Sequence, residues 1–248
     1  MPEVRWLTGF LDVAAAAWDP AIAFWTAATG TSLSSVRGEA GQFATLVPPV
    51  GDACWRMQRV GAADPGLHLD LHGDPVLLER DVTERGAYMV SRDEDVTVLR
   101  SPGGFAFCIV PDAGTPTGRP SPVDHGGYSS LMDQVCLDVP GALVGLETAF
   151  WAGVLGVEPA PSTRRAEFTN LPRPDRLGLR LLVQRIGKAG RVAAHPDLAT
   201  TDRVAEVARL ESLGAQTTQV EEFWTVLRAP DGRLFCVTER DPATGESN

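Results

Sequence analysis

The sequence predicts an α+β protein of four strand–helix–strands units in two domains, and three observations predict it. The chain repeats itself. Each copy alternates short strand-like runs with capped amphipathic helices. A stretch of linker composition separates the copies. The repeat is read from ordered blocks. VTVLR at 96–100, followed by Ser101-Pro-Gly-Gly and Phe107-Cys108, returns as WTVLR at 224–228, followed by Ala229-Pro-Asp-Gly and Phe235-Cys236. Leu11-Asp12-Val13, Phe24-Trp25, Met57-Gln58-Arg59-Val60 and His68-Leu-Asp-Leu71 return in the same order. Their counterparts are Leu137-Asp138-Val139, Phe150-Trp151, Val183-Gln184-Arg185-Ile186 and His195-Pro-Asp-Leu198, all shifted by 126 to 128 residues. A fixed offset across five blocks marks a duplication.

The elements follow in chain order. Asp19-Pro20 is expected to open the first helix, Asp as its cap and Pro in its first turn, and Gly30 to close it. Trp18, Ile22, Trp25 and Thr29 lie on one face of that helix. Asp74-Pro75 opens a second helix that ends toward Gly86. In the second copy Leu143, Leu146, Phe150 and Val154 form the apolar stripe of a third helix closed by Gly156. Asp202 caps a fourth, with Val204, Val207, Ala208 and Leu210 before Gly214. Short β-like runs follow each helix, such as 217–228 and 233–238 around the turn Ala-Pro-Asp-Gly. Between the copies, PDAGTPTGRPSPVDHGGYSS (111–130) is rich in Pro, Gly and Ser. The expected division is therefore a first domain at 1–112, a linker at 113–130 and a second domain at 131–248. His125 in the linker is given no role. Units of this size are small for a stable core, so they are expected to close over one another's apolar faces. The repeat is equally consistent with pairing inside a copy and pairing across copies.

Composition narrows the function classes. An apolar fraction of 44% allows a full core. The net charge of −10 repels polyanions, so nucleic acid is not an expected partner. No run is long and apolar enough for a membrane span, and the N-terminus lacks the pattern of a signal peptide, so a cytoplasmic protein is expected, monomeric or homodimeric. Cys54, Cys108, Cys136 and Cys236 form no CxxC pair and lie in apolar runs, so free and mostly buried thiols are expected.

The order of these blocks, with HLDL opening a unit and TVLRAPDGRLFCV closing one, resembles the vicinal oxygen chelate superfamily. Its members include glyoxalase I, bleomycin-resistance proteins and extradiol dioxygenases, and the chain looks most like tandem glyoxalase-like domains. The resemblance implies an α+β fold of four βαβββ units forming two curved mixed β-sheet domains, with a sheet that holds a small organic molecule. In metal-using members it implies a divalent ion on His, Gln and Glu ligands from the first and last strands of paired units. Carried over by strand order, the positions are Thr8, Gln58, His68 and Cys108 in the first copy, and Gln134, Gln184, His195 and Cys236 in the second. None of these is a carboxylate, and a hard cation needs anionic oxygen. Asp70 and Asp197, two residues after the histidines, share their sheet face.

The expected function is thus the binding of a small organic molecule in a β-sheet cavity without the usual metal site and without a cofactor. The alternative is a metal-dependent lyase, isomerase or dioxygenase of glyoxalase type. A third reading keeps only the fold, as an assembly module. Cys108 and Cys236 also read as small buried strand residues, and His68 and His195 as hydrogen-bonded sheet histidines. Trp55 and Trp224 are the candidates for an aromatic wall. Gln58 and Gln184 are expected to face the cavity, with Met57 and Val183 facing the helices. His72 is expected to be exposed. Pro196 is expected to distort its strand, since it cannot donate to the ladder.

Overall fold

The computed structural model describes residues 3–61, 65–112, 114 and 116–246. Met1 and Pro2, and the linker positions 113 and 115, lie outside the described residues. The first copy contains β1 (Trp6–Ala14), α1 (Trp18–Thr29), β2 (Ser32–Leu33), β3 (Phe43–Val47), β4 (Trp55–Val60), β5 (Gly66–Gly73), α2 (Pro75–Glu84), β6 (Tyr88–Arg92), β7 (Thr97–Arg100) and β8 (Ala106–Pro111). After β9 (Val123–Asp124), the second copy contains β10 (Ser129–Pro140), α3 (Val144–Leu155), β11 (Ala160–Pro161), β12 (Phe168–Leu171) and β13 (Arg180–Ile186). It ends with β14 (Ala193–Thr200), α4 (Arg203–Ser212), β15 (Gln216–Val220), β16 (Trp224–Arg228) and β17 (Leu234–Glu239). The strand order is β2-β3-β4-β1-β5-β8-β7-β6 in one sheet and β11-β12-β13-β10-β14-β17-β16-β15 in the other, with β9 added to β10. Each sheet is mixed: β5–β8 and β14–β17 run parallel, while β7–β8 and β16–β17 run antiparallel. The four βαβββ units are thus present, and strands pair within a copy.

The helix layer answers the question the repeat leaves open. The chain divides into two compact units that do not coincide with the copies. One comprises Met1–Phe10, Leu67–Thr117 and Val135–Ala194, and the other Leu11–Gly66, Gly118–Gln134 and His195–Asn248. In the first unit, α3 of the second copy packs on strands of the first. Trp151 meets Phe107 edge-on at 5.5 Å and Phe105 at 6.0 Å, and Phe150 meets Phe107 at 5.9 Å. In the second unit, α1 of the first copy packs on strands of the second. Trp25 meets Phe235 edge-on at 5.3 Å, and Phe24 meets it at 5.7 Å. Trp25, Trp151, Phe107 and Phe235 are fully buried and are the largest such side chains. Aromatic pairs of this kind bury large area and add directional contact energy. Each core therefore joins the strands of one copy to a helix of the other.

Local sequence explains most element ends and misplaces a few. Asp74 accepts from the N–H of Val76 and of Leu77, both at 3.0 Å, and Asp202 from that of Ala205 at 2.9 Å, as helix caps should. Gly30 and Gly156 take the left-handed conformation at the ends of α1 and α3. Asp19 is not a cap, because a 3₁₀ turn over Ala15–Ala17 leads into the helix and moves its start to Trp18. Of the stripe expected on α3, Phe150 and Val154 are buried, but Leu146 is half exposed, and Glu147, Trp151, Ala152 and Leu155 are buried as well. On α4, Val204 and Ala208 are exposed, and Glu206 is buried with Leu210. In both cases a buried glutamate with partners displaces a hydrophobe, which apolar periodicity alone does not foresee. Strand β14 runs unbroken through Pro196 and pairs with β17 from Asp197 onward.

The linker is tethered rather than loose. The Asp52 N–H donates to Gly118 O at 2.9 Å, and the Ser121 N–H to Val50 O at 3.2 Å. Gly51 permits this approach: a Cβ there would stand 2.1 Å from Arg119 O, and its φ is +88°.

Candidate functional site

Strand parity sorts the candidate residues by face. In β8, Phe107 and Ile109 are buried toward α3, so Cys108 faces the other way. Its parallel partner across the ladder is Asp70. His68 and His72, two residues to either side on β5, share that open face. Asp197 and Cys236 are paired in the same way in the second copy, and His195 shares their face. Val226 opposes Cys236, which puts Val226 and Trp224 there too.

Each open face brings three donors together. The ligand atoms of His68, Asp70 and Cys108 lie within 4.8 Å of one another, and so do those of His195, Asp197 and Cys236. His68 Nε2 is 3.8 Å from Asp70 Oδ1, and its ring stacks on Phe10 at 4.5 Å and 14°. His195 Nε2 is 3.4 Å from Asp197 Oδ1. Asp197 is almost wholly enclosed, with 3% of its side chain exposed. Its Oδ2 accepts from Gln134 Nε2 at 2.5 Å, while its Oδ1 has no hydrogen bond among the described residues. Burial pushes the Asp197 carboxyl above the ordinary carboxylate range, against the pull of His195, Arg240 and the Gln134 hydrogen bond. Beside it, Arg240 clamps buried Asp133 through both terminal nitrogens, at 2.8 and 3.3 Å. That engagement makes Arg240 part of a buried ion pair.

The other expected positions divide. Gln134, His195 and Cys236 converge around Asp197. Gln184 faces away from the helices, as Val183 is fully buried, and its Oε1 accepts from Cys136 Sγ at 3.7 Å. Gln58 also stands on the open face of its strand, opposite in parity to buried Met57 and to Arg59, whose guanidinium lies 5.9 Å from the Trp18 ring. Trp55 shares the Met57 face rather than that of Gln58. There it lines an apolar hollow with Leu46, Cys54 and Met132, and its indole N–H donates to Met132 O at 2.7 Å. A three-residue spacing within a strand reverses the face, so Trp55 and Gln58 cannot line the same wall. Trp224, by contrast, is on the Cys236 face. His72 is buried rather than exposed, its Nε2 2.9 Å from the Thr8 hydroxyl. All four cysteines are free, with Cys54, Cys136 and Cys236 buried and Cys108 partly so; burial pushes the Cys54 thiol up. His125 stacks near Tyr128 and shares a hydrogen bond with the Ser130 hydroxyl at 2.9 Å, a tie within the segment leading into β10.

The positions carried over from the family include no carboxylate, because Asp70 and Asp197 sit two residues beyond the histidines in their strands. Period-two alternation puts them on the histidine face, and the parallel ladder puts each opposite a cysteine. The donor set of each cluster is one imidazole, one carboxylate and one thiol. It suits a borderline-soft divalent ion such as zinc, bound through three protein ligands with a position left open, better than a hard oxygen-seeking ion. The enclosed Asp197 Oδ1, which has His195 Nε2 at 3.4 Å but no hydrogen bond among the described residues, fits such a cation, since a buried carboxylate oxygen without a hydrogen bond is costly.

No curated protein sequence matches the chain. Among solved structures, the fold is similar to the Mn(II)-bound glyoxalase from Novosphingobium aromaticivorans. That pair has a TM-score of 0.65 and 16% identity over 100% of this chain and 86% of that one. It is also similar to 2,2',3-trihydroxybiphenyl 1,2-dioxygenase from Sphingomonas wittichii strain RW1 (0.59, 13% identity, 96% and 90% covered) and to a catechol 2,3-dioxygenase (0.58, 17% identity, 100% and 93% covered). At these identities the likeness concerns the fold. No helix is long and apolar enough to cross a membrane among the described residues. The family model for the glyoxalase-like domain matches twice, over residues 10–110 and 134–238, which are the two sequence copies. With two such matches over most of its length, each on its own mixed sheet, the chain belongs to the glyoxalase-like domain family of the vicinal oxygen chelate fold.

Proposed function

We propose that the chain binds a small oxygen-bearing organic molecule on the open face of its second sheet, at a divalent ion held by His195, Asp197 and Cys236, in the manner of glyoxalase-type metal enzymes. One observation carries this: Asp197 Oδ1 is enclosed, has no hydrogen bond among the described residues, and lies within ligand reach of an imidazole nitrogen and a thiol sulfur. A bound ion there supplies Lewis-acid polarisation of a ligand oxygen. The remaining work falls to the chain. Gln134 holds the other Asp197 oxygen and so fixes the carboxylate. Trp224 and Val226 offer an apolar wall beside the donors.

The burial of Asp197 favours a second reading. Burial raises its proton affinity and so disfavours a fixed negative charge there, which supports metal-free binding on the same face. Both readings are tested by one experiment. Chelator-treated protein, with and without added zinc, is titrated with catechol as a probe carrying two adjacent oxygens, and binding is followed by calorimetry. Zinc-dependent binding that is lost in H195A and D197N supports the metal-assisted function. Equal binding in both conditions supports the metal-free one, and no binding in either condition opposes both.

A further inference from the structure

We infer that the first copy carries a second, independent ion site at His68, Asp70 and Cys108, so that one chain takes two equivalents of a thiophilic divalent ion. The inference shares its donor chemistry with the second-copy site proposed above but rests on different residues. The ladder builds the two clusters by the same construction. In each, a parallel strand pair sets an aspartate directly opposite a cysteine, Asp70 against Cys108 and Asp197 against Cys236. In each, a histidine two residues earlier shares the face. The donors of the first cluster lie within 4.8 Å of one another. Three ligands about 2.0–2.3 Å from a common zinc ion stand roughly 3.3–3.7 Å apart, so small side-chain rotations close the set.

Two features make the first cluster a site in its own right. Phe10 stacks flat on His68 and restricts the imidazole plane, as a positioned ligand requires. Thr8 stands where the second copy has Gln134, and it engages His72 rather than the aspartate. The first site therefore lacks the amide that fixes Asp197, and it should bind more weakly than the second. Cys108 is the more accessible of the two thiols, so its ion should also exchange faster.

The chain carries the discrimination between metals. A thiol and an imidazole in each set select zinc, or cobalt(II) as its spectroscopic stand-in, over manganese or magnesium. This predicts that manganese binds both clusters poorly.

The test uses the full chain, stripped of metal, titrated with zinc by calorimetry and with cobalt(II) by absorption, where thiolate-to-cobalt charge transfer reports each sulfur ligand. Two equivalents are expected, with C108S and D70N each removing the weaker one and leaving the other. C236S should remove the tighter one. A single equivalent unaffected by C108S and D70N but lost in C236S would overturn the inference and leave the proposed function standing. A single equivalent lost in C108S alone would uphold the first-copy site and sink the second. Absence of any cobalt–thiolate band in the wild-type chain would overturn both. Circular dichroism of each metal-free variant separates loss of a ligand from loss of the fold, and D70N, which is nearly isosteric, keeps the test open should C108S unfold.

Discussion

Trp151 donates its indole N–H to Glu147 Oε2 at 3.0 Å, and the other oxygen of that carboxylate accepts from the Gly103 N–H at 2.5 Å. In the other compact unit, Trp25 donates to Asp231 Oδ2 at 3.1 Å. Trp25 corresponds to Trp151 and Asp231 to Gly103 in the repeat, while Glu147 corresponds to Ala21. The duplicated contact thus keeps its buried carboxylate but takes it from the helix in one unit and from the β-turn in the other. Gly103 has no room for a side chain of its own, since a Cβ there would meet Val192 at 2.6 Å and Glu147 at 2.7 Å.

Glu147→Ala should therefore destabilise the protein by about 2 kcal/mol or more, because it leaves two buried donors without an acceptor, each costing roughly 1–3 kcal/mol. Glu147→Gln should cost less, as one amide oxygen can still accept. Urea denaturation of the two variants checks this. Equal midpoints for wild type and Glu147→Ala would show that the carboxylate contributes nothing to the packing of α3.

The same carboxylate gives a pH dependence whose sign is fixed. Burial is the main cause that raises its proton affinity, only partly offset by the bonds from Gly103, Ser101 and Trp151. A raised folded-state value means that its stabilising contribution is complete below the ordinary value of 4.5. That contribution is lost as pH rises through the folded-state value. The stability difference between wild type and Glu147→Gln should shrink or reverse as pH rises from 4.5 toward neutrality. Denaturant midpoints for both proteins across that range test it, and parallel curves would contradict it.

The exchange of helices between copies predicts where damage appears. Trp25→Ala opens a cavity against Phe235 and should cost about 3–5 kcal/mol. Hydrogen exchange should then quicken in β17 of the second copy, the strand Trp25 packs on, together with α1. Loss of protection confined to the first copy would mean that the two copies hold their helices separately.

How far the sequence foretells this molecule depends on the kind of information each feature carries. The duplication, the helix caps Asp74 and Asp202 and the faces of Gln58 and Gln184 follow from repeat offsets and from period-two alternation, which are local rules. The exchange of α1 and α3 does not, because Trp25 and Trp151 carry the same apolar signal whichever sheet they cover. Apolar periodicity favours Leu146 and Val204 over Glu147 and Glu206, since it ranks residues by apolarity and cannot see a partner such as Gly103 or Arg209. The site was half legible. His68, His195, Cys108 and Cys236 are marked by their recurrence. Period-two alternation already sets Asp70 and Asp197 on the histidine face, but their place opposite Cys108 and Cys236 exists only when β5–β8 and β14–β17 pair in parallel at the observed register, and Trp55, three residues before Gln58, falls on the face opposite to it.

Gln134 offers the sharpest test of the second-copy centre, because it touches the carboxylate and not the ion. Its Nε2 donates to Asp197 Oδ2 and leaves Oδ1 directed toward His195 and Cys236. Removing a residue that only orients a ligand typically lowers metal affinity by about 10–100-fold, and Gln134→Ala should do so for the tighter zinc equivalent while the number bound stays the same. Asp197→Ala should instead delete that equivalent. The first-copy site should respond to neither change, as its aspartate has no glutamine counterpart. Competition with a chromophoric chelator resolves affinity from stoichiometry. If Gln134→Ala leaves the zinc affinity at its wild-type value, Gln134 does not orient a metal ligand, and its bond to Asp197 serves the packing of β10 on β14 alone.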